Sequence, residues 1–268
     1  PLWGSGGHRF KSCHPDQLNS LAPEERRLFY IANPNSDGIP YNRSMYQRHT
    51  NNLNHAGIGM TSERTRRRLI DQLREMGVTD ESVLRVMQAI PRHIFVEEAL
   101  ASRAYENTAL PIGHGQTISQ PYIVGLMTQT LFNIPRAKVL EIGTGCGYQT
   151  ATLAPLCEKV VSIERIVKLH RQARDQLYDL GVRNVVFRHG DGFIGAEEFA
   201  SFDGILAAAV SQDVPNELIE QLAIGGRVVM PVGRGESQIL TVIDKTESGL
   251  VKQEIEAVRF VPRLAGLG

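Results

Sequence analysis

Three glycines crowd the segment Val139-Leu140-Glu141-Ile142-Gly143-Thr144-Gly145-Cys146-Gly147-Tyr148. A short apolar run enters them and a helical pattern leaves them. Glycine tolerates positive φ and lets a ligand approach the backbone where a Cβ would block it. A dinucleotide fingerprint needs Gly-x-Gly-x-x-Gly. Gly143 and Gly145 meet it, but Tyr148 stands at the third position and the glycine falls one residue early, at Gly147. That spacing disfavours a pyrophosphate cradle. It favours the looser turn of enzymes that bind S-adenosylmethionine, with Thr144 and Tyr148 as part of the binding loop. A glycine-rich turn with no ligand is the alternative.

Two acids follow at comparable places. Glu164 ends the next apolar run, in Val161-Ser162-Ile163-Glu164. A carboxylate at the tip of a second strand can accept both hydroxyls of a ribose, although acids are also common at helix starts. Asp191 and Gly192 follow a third run, in Gly190-Asp191-Gly192-Phe193. There an acid can accept from an adenine amino group and a backbone N–H can serve a ring nitrogen; a plain Asp-Gly turn is the alternative. Glu141 lies inside the first run. It is expected to orient the glycine loop or contact the cofactor, or else to be a buried structural acid.

These residues need elements that deliver them to one edge. Beyond Pro135, apolar runs at 139–142, 160–163, 184–188, 204–208 and 227–232 alternate with helical patterns at 148–156, 166–180 and 217–222. Repeated β-α-β alternation predicts a Rossmann-like α/β fold, a mostly parallel twisted sheet with helices on both faces. Such sheets bind ligands at the carboxyl ends of their strands, near a topological switch point. Each motif above falls at such an end. Runs at 239–243 and 256–261 predict an antiparallel C-terminal edge.

Upstream, Leu69, Ile70, Leu73 and Met76 mark a helix that Gly77 stops. Val83, Val86, Met87 and Ile90 mark a second helix, capped by Thr79 and ended by Pro91. Together they predict a small N-terminal helical layer. Residues 105–116 read as loop. Ser119-Gln120-Pro121 reads as a helix start, with Ser119 as N-cap and proline in the first turn.

The 268 residues suffice for one α/β domain with an appendage. Basic and acidic side chains number 29 each, which removes the simplest electrostatic case for a nucleic-acid partner. The cluster Arg64, Arg66, Arg67 and Arg68 reads as a solvated helix face. No apolar run is long enough to span a membrane, and residues 1–30 lack the order of a secretory signal. Cys13, Cys146 and Cys157 have no metal-ligand spacing; they fit a cytoplasmic setting and no metal site. Residues 1–60 are rich in Asn, Ser, Gly, Pro and His and are expected to form a poorly structured extension. Residues 61–268 form the working domain, with helices and substrate loops at 61–135 and the cofactor-binding core at 136–268. Met60 is expected to be the native start, so a chain beginning there should fold and work.

Four further segments carry a narrower signal: Arg92-His93-Ile94-Phe95-Val96, Ala109-Leu110-Pro111-Ile112-Gly113, Gly115-Gln116-Thr117-Ile118-Ser119-Gln120-Pro121 and Val258-Arg259-Phe260-Val261-Pro262. In order and spacing around the glycine turn, they resemble the protein-L-isoaspartate methyltransferase family over about residues 62–262. The Thr-Ile-Ser-x-Pro element is specific to that family, whereas the glycine turn is shared by many methyltransferases. Cys146 replaces a serine frequent in the family, and the match weakens beyond Pro262.

The resemblance implies a protein-repair enzyme. It would move a methyl group from S-adenosylmethionine to the free α-carboxylate of an L-isoaspartyl residue, or to the side-chain carboxylate of a D-aspartyl residue, in damaged proteins and peptides. The products would be S-adenosylhomocysteine and an ester that closes to a succinimide. Ser119 matches the family's active-site serine and would place the substrate carboxylate. Gln116, Thr117 and Ile118 would close over the cofactor. Leu110, Pro111 and Ile112 would form a substrate-facing loop, and Val261 and Pro262 another wall. The enzyme would act as a monomer.

The residues lack an obvious general base, and that chemistry needs none. A carboxylate with a pKa of about 3.9 is ionised roughly a thousand to one at neutral pH. Positioning it against the methyl group can supply on the order of 7–11 kcal/mol. Amino-methylating enzymes commonly carry an Asn/Asp-Pro-Pro-aromatic element after the fourth strand; Leu206-Ala207-Ala208-Ala209-Val210 stands there instead. Another class of S-adenosylmethionine enzyme and a non-catalytic adaptor are the rival readings. Retention of Ser119, Glu164 and Asp191 together argues against the adaptor.

Overall fold

The computed structural model describes residues 57–192, 194–260 and 266. The expectations for residues 1–56 and for Val261 and Pro262 lie outside the described residues.

Helix α1 (Glu63–Glu75) starts at Ser62, whose Oγ accepts from Thr65 N, and it buries Leu69, Ile70 and Leu73. Gly77 ends it with φ at 104°, a left-handed turn that brings the Val78 N–H to the Leu73 carbonyl at 3.0 Å. Met76, expected on the apolar face, is exposed because the chain turns away there. Arg66 departs in the other direction. It is 7% exposed, with its guanidinium 5.9 Å from the Tyr105 ring centre, while Arg64, Arg67 and Arg68 are solvated as expected.

Helix α2 (Glu81–Ala89) is capped by Asp80, not Thr79. Asp80 Oδ1 accepts from Ser82 N at 2.8 Å and Val83 N at 3.2 Å. A carboxylate satisfies the free N–H groups and also meets the positive end of the helix dipole. The Thr79 N–H is taken instead by Gln129 Oε1 at 2.9 Å.

Part of the expected loop at 105–116 is paired. Strand β1 (Leu110–Pro111) lies antiparallel to β2 (Thr117–Ile118), with Leu110 opposite Ile118. Two-residue strands are too short to show a period. Helix α3 (Pro121–Leu131) follows, with Gln120 rather than Ser119 at the N-cap, no side-chain cap, and Pro121 in the first turn. The backbone starts one residue later than a Ser119 cap requires.

The main sheet comprises β3 (Lys138–Ile142), β4 (Lys159–Glu164), β5 (Val185–His189), β6 (Phe202–Ala207), β7 (Leu222–Arg234), β8 (Ser237–Thr246) and β9 (Gly249–Val258), in the order β5-β4-β3-β6-β7-β8-β9. The first five run parallel, and β8 and β9 form the antiparallel C-terminal edge. This is the mostly parallel α/β sheet with an antiparallel C-terminal edge that the sequence predicts, preceded by helices. Helices α4 (Tyr148–Leu153), α5 (Val167–Asp179) and α6 (Asn216–Glu220) fill the crossovers.

Leu140, Ile142, Val161, Ile163, Ile205 and Ala207 alternate along three neighbouring strands and share one core. Burying each of the leucine, isoleucine and valine side chains contributes about 1.5–3 kcal/mol. The opposite face of β3 and β4 carries Glu141 and Ser162, side by side in register. From β3 the chain steps outward to β5, then returns to β6 on the other side of β3. That reversal opens a crevice at the carboxyl ends of β3 and β6. Among the described residues, no helix is long and apolar enough to cross a membrane.

Candidate active site

A cleft occupies that crevice. Gly143, Gly145 and Gly147 line or underlie it with φ at 91°, 56° and 90°, values at which a Cβ is strained. A Cβ on Gly147 would come 2.6 Å from Leu177 Cδ1, so the third glycine lets α5 pack against the turn. A Cβ on Gly145 would come 3.3 Å from Ile112 Cδ1. The β1–β2 loop therefore lies across the glycine turn.

Three consecutive residues of β4 hold that turn. Thr144 Oγ1 meets Ser162 Oγ at 2.6 Å. The Ile163 carbonyl accepts from Gly143 N at 2.9 Å and Thr144 N at 3.2 Å. Glu164 Oε2 accepts from Gly145 N at 2.8 Å, and its Oε1 from Ile166 N at 2.9 Å. Glu164 lines the cleft and is 5% exposed. Each of its oxygens keeps capacity for a further donor.

Glu141 is fully buried and does not line the cleft. Its Oε2 accepts from Thr150 Oγ1 at 2.5 Å and Ser162 Oγ at 2.6 Å. Because Ser162 donates to Glu141, it accepts from Thr144, and a chain of hydroxyls links the acid to the glycine turn. This geometry orients the loop, one of the roles expected from sequence, and brings no contact with the cleft. Glu141 Oε1 has no partner.

Burial pushes the Glu141 carboxyl up to about 7, aided by the Glu164 charge and opposed by the Ser162 and Thr150 hydroxyls. The folded state therefore keeps a proton that the unfolded chain releases near the ordinary value of 4.5. Stability on the order of 3 kcal/mol is lost as pH rises through that window, and the loss is complete above the folded value. Glu141→Gln offers a carbonyl to the same two hydroxyls and cannot ionise. Its melting temperature is expected to gain on wild type from about pH 5 to about pH 8. Parallel melting curves across that range would refute the assignment.

Gln116, Thr117, Ile118 and Ser119 line the same cleft, as do Thr144, Tyr148 and Gly192. Ser119 is half-buried, and none of the described residues hydrogen-bonds its hydroxyl. Its carbonyl accepts from Arg92 Nη2 at 2.7 Å. Of the expected substrate loop, Leu110 points into the core at 2% exposure, Pro111 is exposed and Ile112 is half-buried. Asp191 does not line the cleft; its Oδ2 accepts from Gly266 N at 2.7 Å.

Sequence reasoning missed several lining residues. Ala208 and Ala209 stand at the end of β6; their position after a strand at the switch point was the available signal. Val124 and Gln149 sit inside helices, where nothing local marks them. Gln149 Nε2 donates to Thr128 Oγ1 at 2.9 Å, which fixes its side chain toward α3. Burial pushes the Cys146 thiol up to about 11, so it is neutral at physiological pH. Among the described residues, no group of three or more His, Cys, Asp or Glu could hold a metal ion.

Comparison with known proteins points the same way. The family model for protein-L-isoaspartate(D-aspartate) O-methyltransferase matches residues 64–267. The protein-L-isoaspartate O-methyltransferase of Nitrosomonas eutropha is 55% identical over 217 residues, covering 80% of this chain and 97% of that protein. Its counterpart from Alcanivorax borkumensis is 54% identical over 214 residues, covering 79% and 97%. A solved protein-L-isoaspartate O-methyltransferase superposes with a TM-score of 0.68 at 30% identity, over 76% of this chain and 67% of that one. A Plasmodium falciparum protein assigned to the same class, crystallised with S-adenosyl-L-homocysteine, gives 0.66 at 25% identity, over 74% and 98%.

Proposed function

Because this chain belongs to the protein-L-isoaspartate(D-aspartate) O-methyltransferase family, we propose that its cleft joins S-adenosylmethionine to the free carboxylate of an L-isoaspartyl or D-aspartyl residue in a damaged protein. Its activity is protein repair by methyl transfer. S-adenosylmethionine supplies the methyl group on a positively charged sulfur. The residues present fit such a ligand. The glycine turn leaves bare backbone beside the cleft, and Glu164 offers two nearly buried acceptor oxygens on its wall.

In this reading Gly143, Thr144, Gly145 and Gly147 shape the floor and Tyr148 backs it. Glu164 accepts from the ribose hydroxyls. Gly192 serves the adenine end from the cleft wall, and Asp191, next to it but outside the lining, is proposed as the acceptor for the adenine amino group. Gln116, Thr117 and Ile118 cover the cofactor from β2, and Glu141 acts through Ser162 to keep the turn in place. Ser119 donates its hydroxyl to the substrate carboxylate and aims it. Pro111 and Ile112 meet the incoming peptide, with Val261 and Pro262 as a further wall.

No histidine lines the cleft among the described residues, and an already ionised carboxylate needs no base. Catalysis then rests on desolvation and alignment. Cys146 and Cys157 are free thiols, in keeping with action in the cytoplasm.

The observation that carries the reading is the Thr117–Ser119 segment facing the glycine turn in one cleft, with Ile112 against Gly145. The test is transfer of a labelled methyl group to a peptide with one isoaspartyl residue and to its ordinary aspartyl counterpart. Base-labile label is expected only on the isoaspartyl peptide. Equal labelling would remove the selectivity, and no labelling of either would leave a binding module.

A further inference from the structure

Arg92 has no solvent exposure, and the reaction as described makes no use of it. Its Nε donates to the Ala104 carbonyl at 2.9 Å and its Nη2 to the Ser119 carbonyl at 2.7 Å. The guanidinium lies 4.7 Å from the Tyr148 ring centre, and Nη1 has no hydrogen-bond partner. Among the described residues, no carboxylate forms an ion pair with it. The titratable groups facing it are the phenols of Tyr148 and Tyr105 and the thiol of Cys146. Burial raises all three, Tyr105 to about 12 and Cys146 to about 11, so none is anionic at neutral pH. Arg66, 5.9 Å from the Tyr105 ring centre, adds charge of the same sign.

A full positive charge is thus held out of water with no anion from the protein. Two carbonyl dipoles and an aromatic face offset only part of that cost. Ser119, Tyr148 and Cys146 all line the cleft. The charge sits one residue behind the wall that a substrate carboxylate would reach.

We propose that Arg92 is a positioning residue for the substrate carboxylate. It clamps the Ser119 carbonyl so that the Ser119 hydroxyl stays aimed, and its unpaired charge makes the cleft prefer a carboxylate over a neutral group of the same shape. This rests on the carboxylate-methylating reading above. An arginine that merely tied two carbonyls together would support charged and neutral ligands equally.

The test uses the full chain saturated with S-adenosylhomocysteine. Affinity is measured for an isoaspartyl peptide and for the same peptide with its α-carboxylate replaced by a carboxamide. Wild type is expected to prefer the carboxylate by about tenfold or more. Arg92→Met should keep its S-adenosylhomocysteine affinity and lose most of that preference. Arg92→Lys, which retains charge without the fork, should keep the preference while binding both peptides more weakly. Arg92→Met with its preference intact overturns the proposal. If Arg92→Met fails to bind S-adenosylhomocysteine at all, Arg92→Lys decides: preference kept supports the proposal and preference lost overturns it. A wild-type chain that methylates the isoaspartyl peptide yet binds both peptides equally also overturns it. A wild-type chain that does not methylate that peptide fails the functional reading itself, and the proposal falls with it.

Discussion

Ser119→Ala is expected to lower kcat/KM for an isoaspartyl peptide by about a hundredfold while leaving the melting temperature close to wild type. The two halves of that expectation have separate grounds. The hydroxyl lies on the cleft wall and makes no hydrogen bond with the described residues, so the fold loses nothing with it. Helix α3 takes its N-cap from Gln120 and its first turn from Pro121. The reacting carboxylate, by contrast, loses a donor that sets its approach to the methyl group. Misplacement on the scale of 1 Å costs roughly a hundredfold in rate. Affinity for S-adenosylhomocysteine should not move. Steady-state kinetics beside a thermal melt checks the pair. A stability loss of about 1 kcal/mol with an unchanged rate would show a capping serine instead.

Glu164→Gln is expected to weaken S-adenosylhomocysteine binding by about tenfold to a hundredfold, despite its near-identical shape. Each carboxylate oxygen accepts one backbone N–H, from Gly145 and from Ile166. A glutamine must turn its NH2 toward one of them, donor against donor. An unsatisfied buried donor costs about 1–3 kcal/mol. Either the glycine turn or the start of α5 then shifts, and the ribose hydroxyls lose their charged acceptor. Calorimetric titration gives the answer directly. A variant that binds within about threefold of wild type would mean that Glu164 serves the turn alone.

The site motifs were legible in the sequence because they are local. A strand, a glycine turn and a helix follow one another within ten residues, and Glu164 and the Asp191-Gly192 pair each close an apolar run. What escaped was decided across distance. Thr79 and Asp80 are both good caps by type; Gln129, fifty residues on, takes the Thr79 N–H and Asp80 is left to cap. Arg66 and Arg92 carry the most solvent-loving of side chains, and only the packing of Tyr105 and Tyr148 against them shows that they are internal. Glu141 could not be assigned a role until the register set it beside Ser162. Helix starts and strand ends shifted by a residue or more where hydrogen bonding, not apolar pattern, sets the boundary.

The three consecutive holds of β4 on the glycine turn make the site a detector of assembly errors. Ser162 and Glu164 act through side chains on one face, and Ile163 acts through its carbonyl between them. A slip of β4 by one residue against β3 would send both side chains to the wrong face at once. No partial version of the turn survives such a slip. A chain folded out of register is therefore expected to lose methyl transfer outright rather than in part.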